Sequence, residues 1–243
     1  MKEYAIEVNH VSMLFHLNKE RVDNAKEYFV RLLTRRLTFT EFWALKDVSL
    51  SINRGETVGI IGLNGSGKST LLKVIAGVLK PAEGNVRVNG SVAPLIELGA
   101  GFDPDLSARE NIFLNGAVLG HSRKRMQELF EEIIEFAELR EFLDVPLKNY
   151  SSGMQARLGF AIAPAVTPDV LIVDEVLGVG DYQFQEKCHR RMERIISSGA
   201  TVLFVSHSIE QVKQICSRAI WLKSGRVVMD GEVNQVCDEY MKR

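Results

Sequence analysis

One stretch limits what this chain can become: Gly62-Leu63-Asn64-Gly65-Ser66-Gly67-Lys68-Ser69-Thr70. It fits the pattern G-x-x-x-x-G-K-[ST]. The run before it, Thr57-Val58-Gly59-Ile60-Ile61, is short and β-branched and reads as a buried strand. The run after it, Thr70 to Ala76, reads as a helix. Strand, glycine-rich loop and helix in that order form a phosphate-binding unit. Glycines 62, 65 and 67 let the backbone curl so that several N–H groups point at one anion, and the helix adds its positive end. All of Asn64, Gly65, Ser66, Gly67, Lys68, Ser69 and Thr70 are therefore candidate nucleotide-binding residues. Lys68 brings charge to the β- and γ-phosphates, and the Ser69 hydroxyl is placed for Mg²⁺. The competing reading, a turn with no ligand, is weakened by the correctly placed strand and helix.

With 243 residues, 46% of them hydrophobic, the chain can bury one large α/β domain or a domain with a small added lobe. The 30 basic and 31 acidic residues leave a formal charge of −1, so no basic excess points to nucleic acid as a partner. Cys188, Cys216 and Cys237 lack metal-ligand spacing and read as free thiols. The N-terminus has no signal-peptide core. No apolar run approaches the ~20 residues that cross a bilayer. The expectation is a cytoplasmic protein that reaches a membrane only through a partner.

Residues 4–8 read as a first strand that Val11 to Phe15 continues or ends. Within 16–42, apolar positions 22, 25, 29, 32 and 33 recur at helical spacing, so an amphipathic helix is expected near 20–36. It either packs on its own domain or docks elsewhere. Trp43 to Ile52 alternates like a strand. Residues 85–90 form a short strand, so an antiparallel β subdomain is expected beside the parallel core. Residues 91–106, with Gly99, Gly101 and Pro104, read as loop. From Ser107 the chain turns helical, opening on Ser107-Ala108-Arg109-Glu110, which has capping-box spacing. This helical subdomain spans about 107–165. Ser151-Ser152-Gly153 opens another helix and is a second anion-binding arrangement. Val170 to Asp174 is a buried strand, 183–197 a helix, Thr201 to His207 a strand, and 209–216 a helix. Strands at 219–222 and 226–228 and a helix at 233–242 finish the chain, a single domain of 243 residues.

Asp174 and Glu175 end a wholly apolar strand. The first carboxylate can hold Mg²⁺ through its water shell, and the second can polarise a water for in-line attack on a γ-phosphate. His207, at another strand end, suits hydrogen bonding to the γ-phosphate or that water.

Taken in order, the phosphate loop, Tyr150-Ser151-Ser152-Gly153-Met154, Val170 to Glu175, Asp181 and His207 resemble an ABC-type ATPase cassette over essentially the whole chain. Finer text resembles the ATP-binding subunits of bacterial polysaccharide exporters for O-antigen or teichoic acid: Glu97-Leu98-Gly99-Ala100-Gly101-Phe102, Arg109-Glu110-Asn111-Ile112, and Asp174 through Asp181. The segment before Trp43 is similar to that subfamily too.

The resemblance implies a RecA-like parallel-sheet core with antiparallel and helical subdomains, ATP and Mg²⁺ as ligands, and Glu175 as general base. It implies a head-to-tail homodimer in which Ser151, Ser152 and Gly153 contact the γ-phosphate held by the other protomer, and Asp181 lies in a loop crossing the interface. An aromatic residue is expected on adenine, Phe15 first and Trp43 in reserve. Integral-membrane permease subunits are the implied partners. The chain departs from the family pattern in three places. Glu97 stands where a glutamine is usual and can join the metal shell with Ser69 and Asp174. The signature carries Ser152 and Met154 for Gly and Gln. Pro164 is expected to fall inside the helix after the signature and kink it.

Three readings follow. The leading one is an ATPase driving glycan export. The second is an ABC-type ATPase acting on nucleic acid or ribosomes, disfavoured because one cassette and no heptad arm are present. The third is a non-hydrolysing regulatory module, disfavoured by the presence of Glu175 and His207. Some exporters of the family carry a carbohydrate-binding domain after the cassette; whether one belongs after Arg243 stays open.

Overall fold

A computed structural model of the chain describes residues 4–18, 39–96, 98–174, 180–206 and 208–242. Two sheets organise them. The first is antiparallel, in the order β2-β1-β4, from β1 (Tyr4–Asn18), β2 (Phe39–Asn53) and β4 (Glu83–Val88). The register runs from Tyr4 opposite Asn53 to Asn18 opposite Phe39. Asn18 and Phe39 therefore stand side by side at one end of this strand pair. The expected helix near 20–36 lies outside the described residues.

The second sheet contains β3 (Thr57–Ile61), β5 (Val92–Leu95), β6 (Val170–Asp174), β7 (Thr201–Val205), β8 (Arg218–Lys223) and β9 (Arg226–Glu232), in the order β5-β6-β7-β3-β8-β9. The first five strands are parallel, and β9 returns antiparallel on β8. Strands β3 and β7 are buried along their whole length, as apolar runs covered on both faces should be. Successive side chains serve opposite faces. Val58, Ile60, Leu203, Val205, Ile220 and Leu222 face a core shared with the antiparallel sheet and α1 (Lys68–Ile75). Ile61, Val202, Phe204, Ala219 and Trp221 face a second core. That core is closed by α5 (Tyr182–Ser197), α6 (Ile209–Ile215) and α7 (Val233–Met241).

A third core lies among α2 (Ala108–Val118), α3 (Arg123–Ala137) and α4 (Ser152–Ile162), around Ile112, Phe130, Ile133 and Leu158. The capping box at its start is complete: the Glu110 amide donates to the Ser107 hydroxyl, and the Ser107 amide donates to the Glu110 carboxylate at 2.8 Å.

Two sequence expectations need correction. The stretch 91–106 is not all loop, because Val92–Leu95 pairs in parallel with β6, Val92 opposite Val170 and Leu95 opposite Val173. Pro94 hides this strand from propensity, yet an edge strand tolerates a residue with no N–H. Pro164 does not kink a helix. The helix after the signature ends at Ile162 with Ala163 as its C-cap, and Pro164 follows it, where no further helical N–H is needed.

Candidate nucleotide site

The phosphate loop emerges from β3 at the carboxyl edge of the parallel sheet, the edge where open α/β sheets bind ligands. Lys68, only 7% exposed, is the first residue of α1, and its Nζ donates to the carbonyls of Gly62 at 2.8 Å and Leu63 at 3.1 Å. That curls the loop around its own lysine. Gly67 stands at φ 106, and a Cβ there would lie 2.7 Å from the Ala44 carbonyl oxygen. Gly65, at φ 75, has nothing within 4 Å of a built Cβ among the described residues.

The helix ends supply the test of ligand fit. Helices α2 to α7 all begin with a side-chain cap, from Ser107, Ser122, Ser151, Asp181, Ser208 and Glu232. Helix α1 has Gly67 as its N-cap and no side-chain cap. A helix N-terminus with no side-chain cap suits an anion. The Ser66 hydroxyl is also buried without a hydrogen-bond partner among the described residues.

Ser69 Oγ lies 3.2 Å from Asp174 Oδ2. A hydroxyl and a carboxylate at this spacing suit a divalent cation that keeps waters and phosphate oxygens as its other ligands. No group of three His, Cys, Asp or Glu residues among the described ones could cage a metal alone. The set therefore fits Mg²⁺ arriving with a nucleotide. Asp174 pairs with Val205, and Ile60 pairs with Val205 from the other side, so the loop and the carboxylate sit at one sheet level. Glu97, Glu175 and His207 lie outside the described residues.

The signature turn opens α4. Ser151 accepts the Met154 N–H at 3.2 Å, which leaves its own proton to donate; Ser152 is exposed and Gly153 half-buried. Asp181 caps α5 by accepting the Phe184 N–H at 3.0 Å and also meets Arg157 Nη2. The Phe184 N–H bond, with the Arg157 charge behind it, holds its carboxyl below the usual carboxylate range. Phe15 is half-buried against the first core, and Trp43 is half-buried opposite Leu14.

Sequence reasoning missed three neighbours. Phe42 stands opposite Phe15 and is 48% exposed, a further aromatic beside the two named ones. The turn Ser224-Gly225 props the phosphate loop: the Gly225 N–H donates to the Ser66 carbonyl at 2.9 Å, and the Lys46 N–H donates to the Gly225 carbonyl at 2.8 Å. With Leu222 and Lys223, that turn walls a cavity of about 160 Å³ against Leu63 to Ser66. The third is Arg157. No local pattern pairs it with Asp181, which lies 24 residues further along the chain.

Comparison with known proteins places this geometry. The family model described as ABC transporter matches residues 45–178. The chain is 45% identical over 222 residues to the O-antigen export system ATP-binding protein RfbB of Klebsiella pneumoniae, covering 91% of this chain and 88% of that one. It is 42% identical over 239 residues to the teichoic acids export ATP-binding protein TagH of Listeria innocua, covering 98% and 70%. It is 49% identical over 201 residues to the ABC transporter protein AbcA of Aeromonas salmonicida, covering 83% of this chain and 65% of that longer protein. Among solved structures, the ATP-binding cassette MJ0796, a dimer bound to ADP and Pi after hydrolysis, superposes with a TM-score of 0.72 at 25% identity, covering 94% and 98%.

Proposed function

The chain belongs to the ABC transporter family of ATP-binding cassettes, and on that premise we propose that it is the ATP-hydrolysing subunit that powers export of a lipid-linked polysaccharide, an O-antigen or a teichoic acid, across the cytoplasmic membrane. The observation that carries the nucleotide half is the bare N-terminus of α1 beside Lys68, in a protein that caps its other described α-helices with side chains. The export half rests on likeness to RfbB and TagH over nearly the whole chain.

The residues then divide the work. Asn64 to Thr70 cradle the phosphates, and Lys68 balances their charge. Phe15 stacks on adenine. Mg²⁺, when bound, neutralises the β- and γ-phosphate oxygens; Ser69 and Asp174 would hold it, with Glu97 as a third candidate. Glu175 takes a proton from the attacking water, and His207 hydrogen-bonds the γ-phosphate or that water. Ser151, Ser152 and Gly153 of the partner subunit donate to the same phosphate from across a head-to-tail homodimer, and Asp181 crosses that interface. Closure follows because ATP binds the closed pair better than the open one. Closure drives integral-membrane permease subunits, which hold this subunit on the inner face of the membrane. No helix of the described residues is long and apolar enough to cross it.

Light scattering with and without ATP tests the reading, on the unaltered chain and on Glu175→Gln. The variant is expected to trap ATP and become a dimer while the unaltered chain turns over and stays largely monomeric. Hydrolysis by Glu175→Gln at the unaltered rate would remove Glu175 from the role of base.

A further inference from the structure

Two kinds of contact join helices α2–α4 to the sheet core. One is apolar. Phe136 of α3 stacks with Phe160 of α4 at 6.1 Å between ring centres and meets Phe184 of α5 edge-on at 5.5 Å. Hydrophobic contact is non-directional, so this seam by itself tolerates small rotations. The other contact is ionic and directional. Arg157 of α4 donates to Glu138 Oε2 at 2.9 Å and to Asp181 Oδ2, and its guanidinium lies over the Phe184 ring, 4.8 Å from the centre. A planar fork with two acids and a stacking face fixes an angle as a point charge cannot.

Both acids hold singular places. Glu138 caps the C-terminus of α3 at φ 59, a conformation that favours glycine, and its carboxylate also takes Lys187 of α5. Asp181 opens α5 as its N-cap. Arg157 itself lies five residues beyond Ser152 on the helix that the signature turn starts. Its side chain is 19% exposed, so water screens these bonds only in part.

We propose that Arg157 is a positioning residue that ties the signature helix to Asp181, so that the signature turn and the N-terminus of α5 move as one piece. The proposal rests on the two-protomer reading above. In that dimer the signature turn serves the partner's ATP, while Asp181 crosses the interface. Arg157 then fixes the angle between the signature turn and that crossing residue.

The test compares the unaltered full chain with Arg157→Ala, Arg157→Lys, Asp181→Ala and the Arg157→Ala/Asp181→Ala double variant. The readouts are affinity for a fluorescent ATP analogue, kcat and KM, and hydrogen exchange at the Phe184 and Gln185 amides. Affinity of the phosphate loop is expected to stay within about twofold, because Arg157 touches no part of it. The value of kcat is expected to fall at least about tenfold in Arg157→Ala with KM little changed, the scale of a misplaced signature turn. Arg157→Lys keeps the charge, loses the fork, and stays impaired. Exchange at Phe184 and Gln185 rises in both Arg157 variants while exchange in α1 does not. The double variant is no worse than the worse single one. A kcat within about twofold of the unaltered chain, additive single effects, or full activity in Arg157→Lys would each overturn the proposal. If Arg157→Ala does not fold, Arg157→Lys carries the comparison. If the unaltered chain hydrolyses no ATP, the functional reading fails, and the exchange data still decide whether Arg157 holds Asp181.

Discussion

Gly225→Ala tests whether the β8–β9 turn props the phosphate loop. Gly225 sits at φ 78, and a Cβ there would stand 2.6 Å from the Ala44 carbonyl oxygen and 3.1 Å from Leu45 Cα. These are backbone atoms, which cannot swing aside as a side-chain tip can. The left-handed conformation costs an alanine about 1–2 kcal/mol. Relieving the clash moves the turn off β2 and the loop, which puts the bonds to Ser66 and from Lys46 at risk, at about 1 kcal/mol each. The sum is about 3–4 kcal/mol. With a urea slope of about 3 kcal/mol/M for a chain of this size, the unfolding midpoint should drop by about 1 M. Gly199→Ala is the control. Gly199 has φ 86 but nothing within 4 Å of a built Cβ. Only the conformational cost applies, so its midpoint should move by about a third to a half as much. Nucleotide affinity should weaken in Gly225→Ala and not in Gly199→Ala, because only the first displaces the Ser66 backbone. Coincident midpoints for the two variants would refute the argument, since the clash would then contribute nothing.

Three further outcomes are expected. Asp174→Asn removes the carboxylate facing Ser69 Oγ, so ATP hydrolysis should fall by about a hundredfold or more; nucleotide titrations in Mg²⁺ and in EDTA should then converge, and a persisting Mg²⁺ dependence would place the ion elsewhere. Arg218 bridges Asp230 at 2.6 Å and Glu56 at 3.2 Å in a partly buried cluster whose acids raise the Arg218 pKa further. Arg218→Ala leaves both acids without it and should cost about 3 kcal/mol by urea unfolding; a loss below about 1 kcal/mol would mean that water serves them equally well. The Ser91 N–H and hydroxyl hold the Asp169 carboxyl below its ordinary range. The folded pKa is thus below the unfolded one, and the stabilisation is present above about pH 4 and lost as pH falls through the folded value. Ser91→Ala should lower stability at neutral pH and flatten the acid limb of a plot of midpoint against pH; an unchanged limb would assign the effect to the backbone bond alone.

Much of the site was legible because its chemistry is contiguous. The strand Thr57–Ile61 and the helix from Lys68 fall where β-branching and the glycine-lysine-serine run put them. The Ser107 capping box was equally plain, since its partners are three residues apart. What escaped was non-local. Val92–Leu95 contains a proline and became a strand only because β6 offered it a register. Pro164 looked like a kink because the spacing of apolar residues continues past Ile162, whereas the helix had already stopped. Phe42 drew no notice beside Trp43, since exposure depends on which way a strand faces its neighbour.

By itself, then, the sequence determined the phosphate loop, the acid that ends a second apolar strand, and the order of elements that identifies the family. Each of these is encoded within a few consecutive residues, where steric preference and hydrogen bonding act directly. Tertiary structure alone decided that Asp174 would stand 3.2 Å from Ser69, that a hairpin 158 residues beyond Gly67 would hold the loop, and that Arg157 would meet Asp181. Those contacts join residues far apart in the chain. Their geometry comes from sheet order and core packing, which no local pattern contains.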